Sequence, residues 1–389
     1  MVNEPFGPLK LLVLQPTSLC NLDCRYCYLP DRTRRLQMDA SLLDRIFDRV
    51  LESPFASGPF SLLWHAGEPL LRPPSFYDQA TARLHEALRR HGWPQDAVSQ
   101  VVQTNATVLN DAWAACLIRN RIDVGVSLDG PAWLHDRERR SRSGAGSHAA
   151  ALHGVECLQR HGIPFSVIAV VTEASLDHAD ALFEFFRSIG AEEVGLNMEE
   201  REGVNLRSSL ELQEGGAPAA QQHLERRYIR FLERLWDRNQ AAGRPLAIRE
   251  FADVMQLALS GERIGRNDLN HPFAIVNVDH QGRFSTFDPE LLGVDTPHGS
   301  WVLGHVSDTS LEDSSRNERF QRQWQAVQQG VEQCRLQCGH FGLCGGGACS
   351  NKVWENGTAA SAETQACRYR IKLASEVVLQ RMERELELC

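Results

Sequence analysis

No apolar run in this chain approaches the roughly 18 residues that a membrane-crossing helix needs. Nor is there the basic-then-apolar opening of a secretion signal, so the expectation is a cytoplasmic protein. Positive charge is in deficit: 41 Lys and Arg stand against 50 Asp and Glu, a formal net charge of −9. That argues against nucleic acid as the main partner, which calls for a basic face. Internal repeats and low-complexity segments are missing as well, so the 389 residues are read throughout as folded chain, enough for two or three domains.

Cysteine, by contrast, is abundant and unevenly spread. Of eleven residues, Cys20, Cys24 and Cys27 gather at one end, and Cys334, Cys338, Cys344, Cys349 and Cys367 at the other. Such clusters in a large chain without a secretion signal favour metal over a disulfide framework. Cys116 and Cys157 lie alone in apolar helical patterns and read as packing residues, and Cys389 has no assignable role.

Strand-like runs at 10–15, 60–64, 100–104, 123–128, 165–171 and 193–198 alternate with helical patterns. Between the first two, Leu42, Leu43, Ile46, Phe47, Val50 and Leu51 recur at spacings of three and four, one face of a helix. Six such βα units predict an α/β fold on a parallel sheet covered by helices; closed or partly closed, such a sheet is a barrel with its site at the strands' C-terminal ends. Residues 202–222 break the rhythm with Gly, Ser and Ala, including Glu214-Gly215-Gly216, and read as a linker. Helical patterns follow over 221–242, 248–260 and 369–388, while 273–367 reads as short strands and loops around cysteines. The division is a barrel over 1–201, linker and bridging helices over 202–265, and a cysteine-rich domain over 266–389.

The stretch Leu19-Cys20-Asn21-Leu22-Asp23-Cys24-Arg25-Tyr26-Cys27-Tyr28 directly follows the first strand-like run. Three thiolates at C-x3-C-x2-C spacing suit a 4Fe–4S cluster whose fourth iron stays open for chemistry. A zinc site would want a fourth ligand nearby, and none follows in C-x2-C or H-x3-H spacing. The loop resembles that of the radical S-adenosylmethionine (SAM) enzymes. The resemblance implies a six-stranded partial barrel, a cluster on Cys20, Cys24 and Cys27, and SAM chelated by the open iron. Reductive cleavage of SAM then yields a 5′-deoxyadenosyl radical that abstracts hydrogen. It also places Tyr26 by the adenine. Trp64-His65-Ala66-Gly67-Glu68-Pro69 matches the family's Gly-Gly-Glu-Pro segment at Gly67, Glu68 and Pro69, with Ala66 for the first glycine. That methyl fits only where the backbone avoids positive φ. Ser127, in Ser127-Leu128-Asp129-Gly130, is implied beside SAM, and Arg139 is implied as partner of the SAM carboxylate, with Arg142 as the competing choice. Thr104-Asn105 ends the third strand, as in relatives or as a plain polar turn.

Cys334-x3-Cys338-x5-Cys344-Gly345-Gly346-Gly347-Ala348-Cys349, with Cys367 later, resembles the SPASM extension, which in full carries two auxiliary clusters. Here Phe287 stands where the nearer cluster expects a cysteine, and another is missing from 267–274. Cys334, Cys338, Cys344 and Cys367 match the farther cluster's ligands; four thiolates close one 4Fe–4S cluster or a tetrahedral zinc. Asp288 occupies the slot of a base that takes a proton from substrate in some relatives, or caps the turn at Pro289. Asn197, Glu199 and Glu200 end the sixth strand, lining a substrate or simply solvated.

Residues 285–293, the 344–348 glycine run and Asn351-Lys352 are similar to the cyclophane-forming radical SAM/SPASM maturases of the glycine-rich-repeat type. The expected function is therefore a crosslink, C–C between an aromatic ring and a nearby Cβ, in a ribosomally made precursor peptide. An electron donor such as flavodoxin or ferredoxin is implied. Neighbouring readings are thioether formation and sulfatase maturation; from another class, a non-catalytic zinc-binding protein.

Overall fold

The computed structural model describes residues 6–211, 217–296 and 299–387; the linker residues Glu214, Gly215 and Gly216 and the terminal Cys389 lie outside them. The six expected strands are present: β1 (Leu11–Leu14), β2 (Phe60–Trp64), β3 (Val98–Thr104), β4 (Ile122–Ser127), β5 (Phe165–Val171) and β6 (Glu193–Met198). They pair parallel in chain order. A short β7 (Ala247–Ile248) continues beyond β6, and on the other side β8 (Ile275–Val278) pairs parallel with β1. β9 (Arg283–Thr286) then runs antiparallel, followed by a small β10 (Asp295–Thr296), β11 (Gly299–Ser300) ladder and β12 (Gly304–His305). One ten-stranded sheet thus carries both the partial barrel and the start of the extension.

The first helices fill the crossovers: α1 (Ala40–Leu51), α2 (Pro74–Arg90), α3 (Asp111–Asn120), α4 (Ala132–Glu138), α5 (His148–Arg160) and α6 (Ala179–Ser188). α7 (Pro218–Ala241) and α8 (Arg249–Ser260) bridge to the extension, which holds α9 (Leu311–Ser315), α10 (Glu318–Gln337), α11 (Phe341–Cys344), α12 (Cys349–Asn356), α13 (Gln365–Cys367) and α14 (Ala374–Glu387). α1 shows how period becomes packing. Asp39 caps it by accepting from the Ser41 N–H at 2.7 Å, and Leu43, Ile46, Phe47, Val50 and Leu51 are buried on the sheet. Both isolated cysteines, Cys116 and Cys157, are fully buried on α3 and α5. No helix among the described residues is long and apolar enough to cross a membrane.

One expectation fails. Residues 273–367 are not only short strands and loops, because the 20-residue α10 crosses them and carries Cys334. Its buried stripe is thin: Phe320, Gln323, Val327, Gly330 and Cys334. Gly330 lets the helix touch the 359–361 loop, where an added Cβ would lie 2.1 Å from the Ala359 carbonyl oxygen.

Candidate functional site

The loop after β1 carries the first three cysteines, and the ends of β2, β3 and β4 hold it. Glu68, after β2, is buried; its Oε1 accepts from the Leu70 N–H at 2.9 Å and Thr104 Oγ1 at 2.7 Å, and Oε2 accepts from the Asn105 N–H at 2.8 Å. That carboxylate ties two strand ends together. Asn105 Nδ2 then donates to Asn21 Oδ1 at 2.9 Å, inside the cysteine loop, and Asn21 donates to Thr107 Oγ1 at 2.7 Å. Thr104-Asn105 is therefore no plain polar turn.

Gly67 has φ +61, and a Cβ there would sit 2.6 Å from the Leu19 carbonyl oxygen and 2.7 Å from that of Thr17. The β2 end passes directly beneath the cysteine loop, with the Glu68 N–H donating to the Leu19 oxygen at 2.8 Å. Ala66, expected to fit only without positive φ, instead has φ 72. A non-glycine residue in this region costs roughly 1–2 kcal/mol, which the surrounding contacts must offset.

Asp129, just past β4, is the charged hub of the site. Its Oδ2 accepts from the Tyr26 hydroxyl and from Arg139 Nε at 3.0 Å, and its Oδ1 accepts from the Val170 N–H at 3.0 Å. The Arg139 guanidinium carbon also lies 5.4 Å from the Tyr26 ring centre. Arg142 donates instead to the Cys20 and Arg32 carbonyl oxygens on the exposed side, at 2.7 Å to the Cys20 oxygen. Of the two arginines, Arg139 is the buried one beside the loop. Ser127 Oγ accepts from Gln103 Nε2 at 2.9 Å. Tyr28 Oη and His65 Nε2 lie 3.3 Å apart, with the imidazole held neutral by burial.

Burial pushes the Cys20 thiol up to about 12 and the Cys24 thiol up to about 11, and Cys27 rises for the same reason. Thiols in this setting ionise only against a strong positive centre, such as bound metal. The donors to them are few: the loop's Leu22 N–H at 3.4 Å from the Cys20 sulfur and its Leu29 N–H on Cys27, with Asn105 Nδ2 3.9 Å from the Cys20 sulfur. The site fits a group that is itself cationic and takes three thiolates.

The second set surrounds a cavity of about 160 Å³ lined by Cys334, Cys338, Cys344 and Cys367, with Lys352 and Lys372. That is room for a group far larger than one ion or water. Gly345, Gly346 and Gly347 take φ of 61, 104 and 72 in succession, which turns the Gly346 and Gly347 N–H groups onto the Cys344 sulfur. Cys349 does not line this cavity; it is buried beside Asp288 and Lys352. An open cavity of about 430 Å³ adjoins Cys344 and Cys367 and is lined also by Arg249, Asp253, Asn351 and Arg370.

Zinc at about 2.3 Å from each sulfur draws tetrahedral ligands to about 3.8 Å of one another. Among the described residues, the metal-capable trio whose ligand atoms all lie within 4.8 Å is Asp111, Cys157 and His161, where Asp111 already pairs with Arg160 at 3.2 Å. Both clustered sets are spaced more widely. A four-iron cube requires this, since each sulfur binds a different corner.

Asp288, after β9, is buried, and its side chain does not cap the turn at Pro289. Its Oδ2 accepts from the Ser350 N–H at 3.0 Å, at the start of α12. Ser350 Oγ donates to Glu202 at 3.1 Å, and Asn351 Nδ2 donates to Glu202 at 2.8 Å and Glu200 at 3.1 Å. Asp288, Glu200, Glu202 and Glu290 form one electrostatic group, with Arg370 the cation facing it and Tyr28 at its edge. Burial pushes Asp288 up to about 6, with Glu200 adding to the rise and the Ser350 N–H opposing it. Glu202 and Glu290 are also raised, burial first. Asn197 and Glu199 are committed elsewhere, to Arg249 at 2.7 Å and the Ser209 N–H at 2.7 Å. Phe287, at φ 70, packs on Trp301 and Trp324 with ring centres 6.0 and 6.4 Å away, so aromatic core fills the place of the absent cysteine.

Sequence alone assigns no role to Asp129, Glu202, Glu290, Ser350 or Lys352. Asp129 lies within Ser127-Leu128-Asp129-Gly130, Glu290 within 285–293 and Lys352 within Asn351-Lys352, all stretches that carry a resemblance; Glu202 and Ser350 meet only across the fold.

The family model described as Radical SAM superfamily matches residues 14–186. An uncharacterized protein of Synechocystis is 46% identical over 98% of this chain and 94% of its own length. A serine-type anaerobic sulfatase-maturating enzyme of Klebsiella aerogenes is 32% identical, over 54% of this chain; the match spans about half, 52%, of that enzyme. Among solved structures, native anSMEcpe with bound AdoMet and Cp18Cys peptide superposes with a TM-score of 0.76, 22% identity, and 97% and 98% of the two chains covered, which shows the shared fold. By the family match and by the cysteine loop at its head, the stretch 14–186 of this chain is a radical SAM domain.

Proposed function

We propose that the chain is a maturase that installs a C–C crosslink between an aromatic ring and a nearby Cβ in a ribosomally synthesised precursor peptide. The carrying observation is Asp288: a buried carboxylate raised to about 6, next to Phe287, which packs as core where relatives place a cluster cysteine. The site retains a base while one of two auxiliary ligand sets is missing. That combination favours crosslinking over sulfatase maturation, whose enzymes keep both sets in the family.

Cys20, Cys24 and Cys27 would hold the SAM-binding 4Fe–4S cluster, with Cys334, Cys338, Cys344 and Cys367 holding the auxiliary one. When bound, the first cluster and SAM supply a radical that removes a hydrogen atom from the peptide. Gly67 and Glu68 fix the strand ends under the loop, and Arg139, held by Asp129, presents a guanidinium to the SAM carboxylate. Tyr26 lies against Arg139 where the adenine is expected, and Ser127 lies at the end of β4. Asp288 accepts the ring proton at Oδ1 while the Ser350 N–H holds Oδ2, and the electron lost with that proton would pass to the cluster held by Cys334, Cys338, Cys344 and Cys367.

Sulfatase maturation stays as the second reading, because the Klebsiella relative bears that name at 32% identity. The test is incubation with the cognate precursor, reductant and SAM. A peptide lighter by two hydrogens, with one aromatic hydrogen missing by NMR, supports the proposal. An aldehyde moves the assignment to sulfatase maturation and a sulfur crosslink to thioether chemistry. Unchanged peptide with SAM consumed overturns the crosslinking reading.

A further inference from the structure

Two lysines line the cavity of the second cysteine set, and they differ. Lys372 is one-fifth exposed, and its Nζ pairs with Glu363 at 2.9 Å. Lys352, on α12, is 3% exposed, and among the described residues its Nζ has no carboxylate within 4.0 Å. Its hydrogen bond goes to the Cys334 sulfur at 3.4 Å. A buried ammonium with no carboxylate against it is costly, because burial removes water without supplying opposite charge. Four thiolates around iron supply that charge, since a 4Fe–4S cluster with its cysteines is a net anion.

We propose that Lys352 is the buried countercharge of the auxiliary cluster and that its N–H···S contact raises the cluster's reduction potential. The inference rests on the reading that Cys334, Cys338, Cys344 and Cys367 hold a 4Fe–4S cluster. Net charge, solvent exposure and hydrogen bonds to the sulfurs set such potentials. Lys352 contributes a charge and a donor at once, from a site closed to water. It is a positioning residue for electron flow, acting through the cluster rather than on the peptide. Lys372 is partly screened by Glu363 and solvent, and its influence is smaller.

The test uses the full-length chain with Cys20→Ala, Cys24→Ala and Cys27→Ala, which leaves the second set alone, reconstituted anaerobically and titrated by EPR. Lys352→Met keeps the apolar stem and removes charge and donor. The expected result is unchanged iron and sulfide, with the one-electron equilibrium shifted at least tenfold toward the oxidised form, about 59 mV lower in potential. Lys372→Met should shift it less. An iron-replete Lys352→Met with an unmoved potential overturns the inference and leaves the cluster reading intact. No iron in the parent overturns that reading and the inference together. If Lys352→Met loses its iron, retention of iron by Lys352→Arg supports a need for positive charge; loss in both assigns Lys352 to packing and overturns the inference.

Discussion

The two cysteine sets are built on opposite plans. The first is an open loop of three half-buried thiols, held from below by the β2 and β3 ends and flanked by the Arg139–Asp129 pair. The second has four thiols around a cavity, Cys338, Cys344 and Cys367 half-buried and Cys334 buried, with a buried lysine against Cys334. Three ligands leave an iron free to bind a substrate-like group, whereas four leave none. The three-ligand set is suited to starting chemistry and the four-ligand one to passing electrons. Asp288 lies with neither, in a separate group of carboxylates where α12 meets the chain after β6.

The largest expected effect separates the sets outright. Cys20→Ala, Cys24→Ala or Cys27→Ala should abolish 5′-deoxyadenosine formation, followed by chromatography after anaerobic reconstitution. Cys344→Ala or Cys367→Ala should leave that cleavage in place and remove peptide product. Equal loss of cleavage in both groups would erase the proposed division of labour.

Gly67→Ala comes next, because its Cβ would meet the Leu19 oxygen at 2.6 Å. Backbone must shift to admit it, so the first cluster's iron should fall while the second set keeps its own, as read by Mössbauer spectroscopy. Unaltered iron on the first set would show that the strand end does not support the loop.

Asp288→Asn should cut crosslinked product by roughly 100-fold or more, the scale of a lost general base, with SAM cleavage retained. In the parent, product formation should fall as pH drops through about 6, where this carboxyl takes up its proton. Stability runs the other way. Folding raises the carboxyl from about 3.9 to about 6, so the folded chain holds the extra proton and stability declines as pH climbs across that window. Urea titrations at several pH values should show a shallower decline in Asp288→Asn; an identical slope would place the raised carboxyl at Glu202 or Glu290.

The smallest effects test the margins. Cys349→Ser should leave iron content unchanged, since Cys349 does not line the four-cysteine cavity. A large loss would redraw the ligand set. Ala66→Gly should change stability by about 1 kcal/mol or less, because relief at φ 72 is set against the greater freedom of glycine in the unfolded chain.

How much of this was legible depended on whether the signal was local. β1 to β6 and α1 announce themselves through period and burial, and the cysteine loop through spacing. α10 was missed because its apolar positions are separated by glutamines and its last turn carries Cys334, which drew the reading toward a loop. Ala66 misled because composition argued against positive φ, while the turn that brings the Glu68 N–H onto the Leu19 oxygen holds Ala66 at φ 72. Arg139 and Arg142 were indistinguishable in sequence; only the fold turns one onto Asp129 and the other onto the Cys20 oxygen. Glu202, Ser350 and Lys352 meet partners 148, 148 and 18 residues away, beyond any sequence window.

The central claim is that two independent four-iron clusters occupy the two cysteine sets, and metal counting tests it most directly. Anaerobically reconstituted parent protein should hold about eight irons per chain, with about four left after Cys20, Cys24 and Cys27 are replaced by alanine. Mössbauer spectra of that variant should show a fully thiolate-ligated 4Fe–4S cluster that does not respond to added SAM. Zinc in place of iron on the second set, or no metal there at all, would contradict the account.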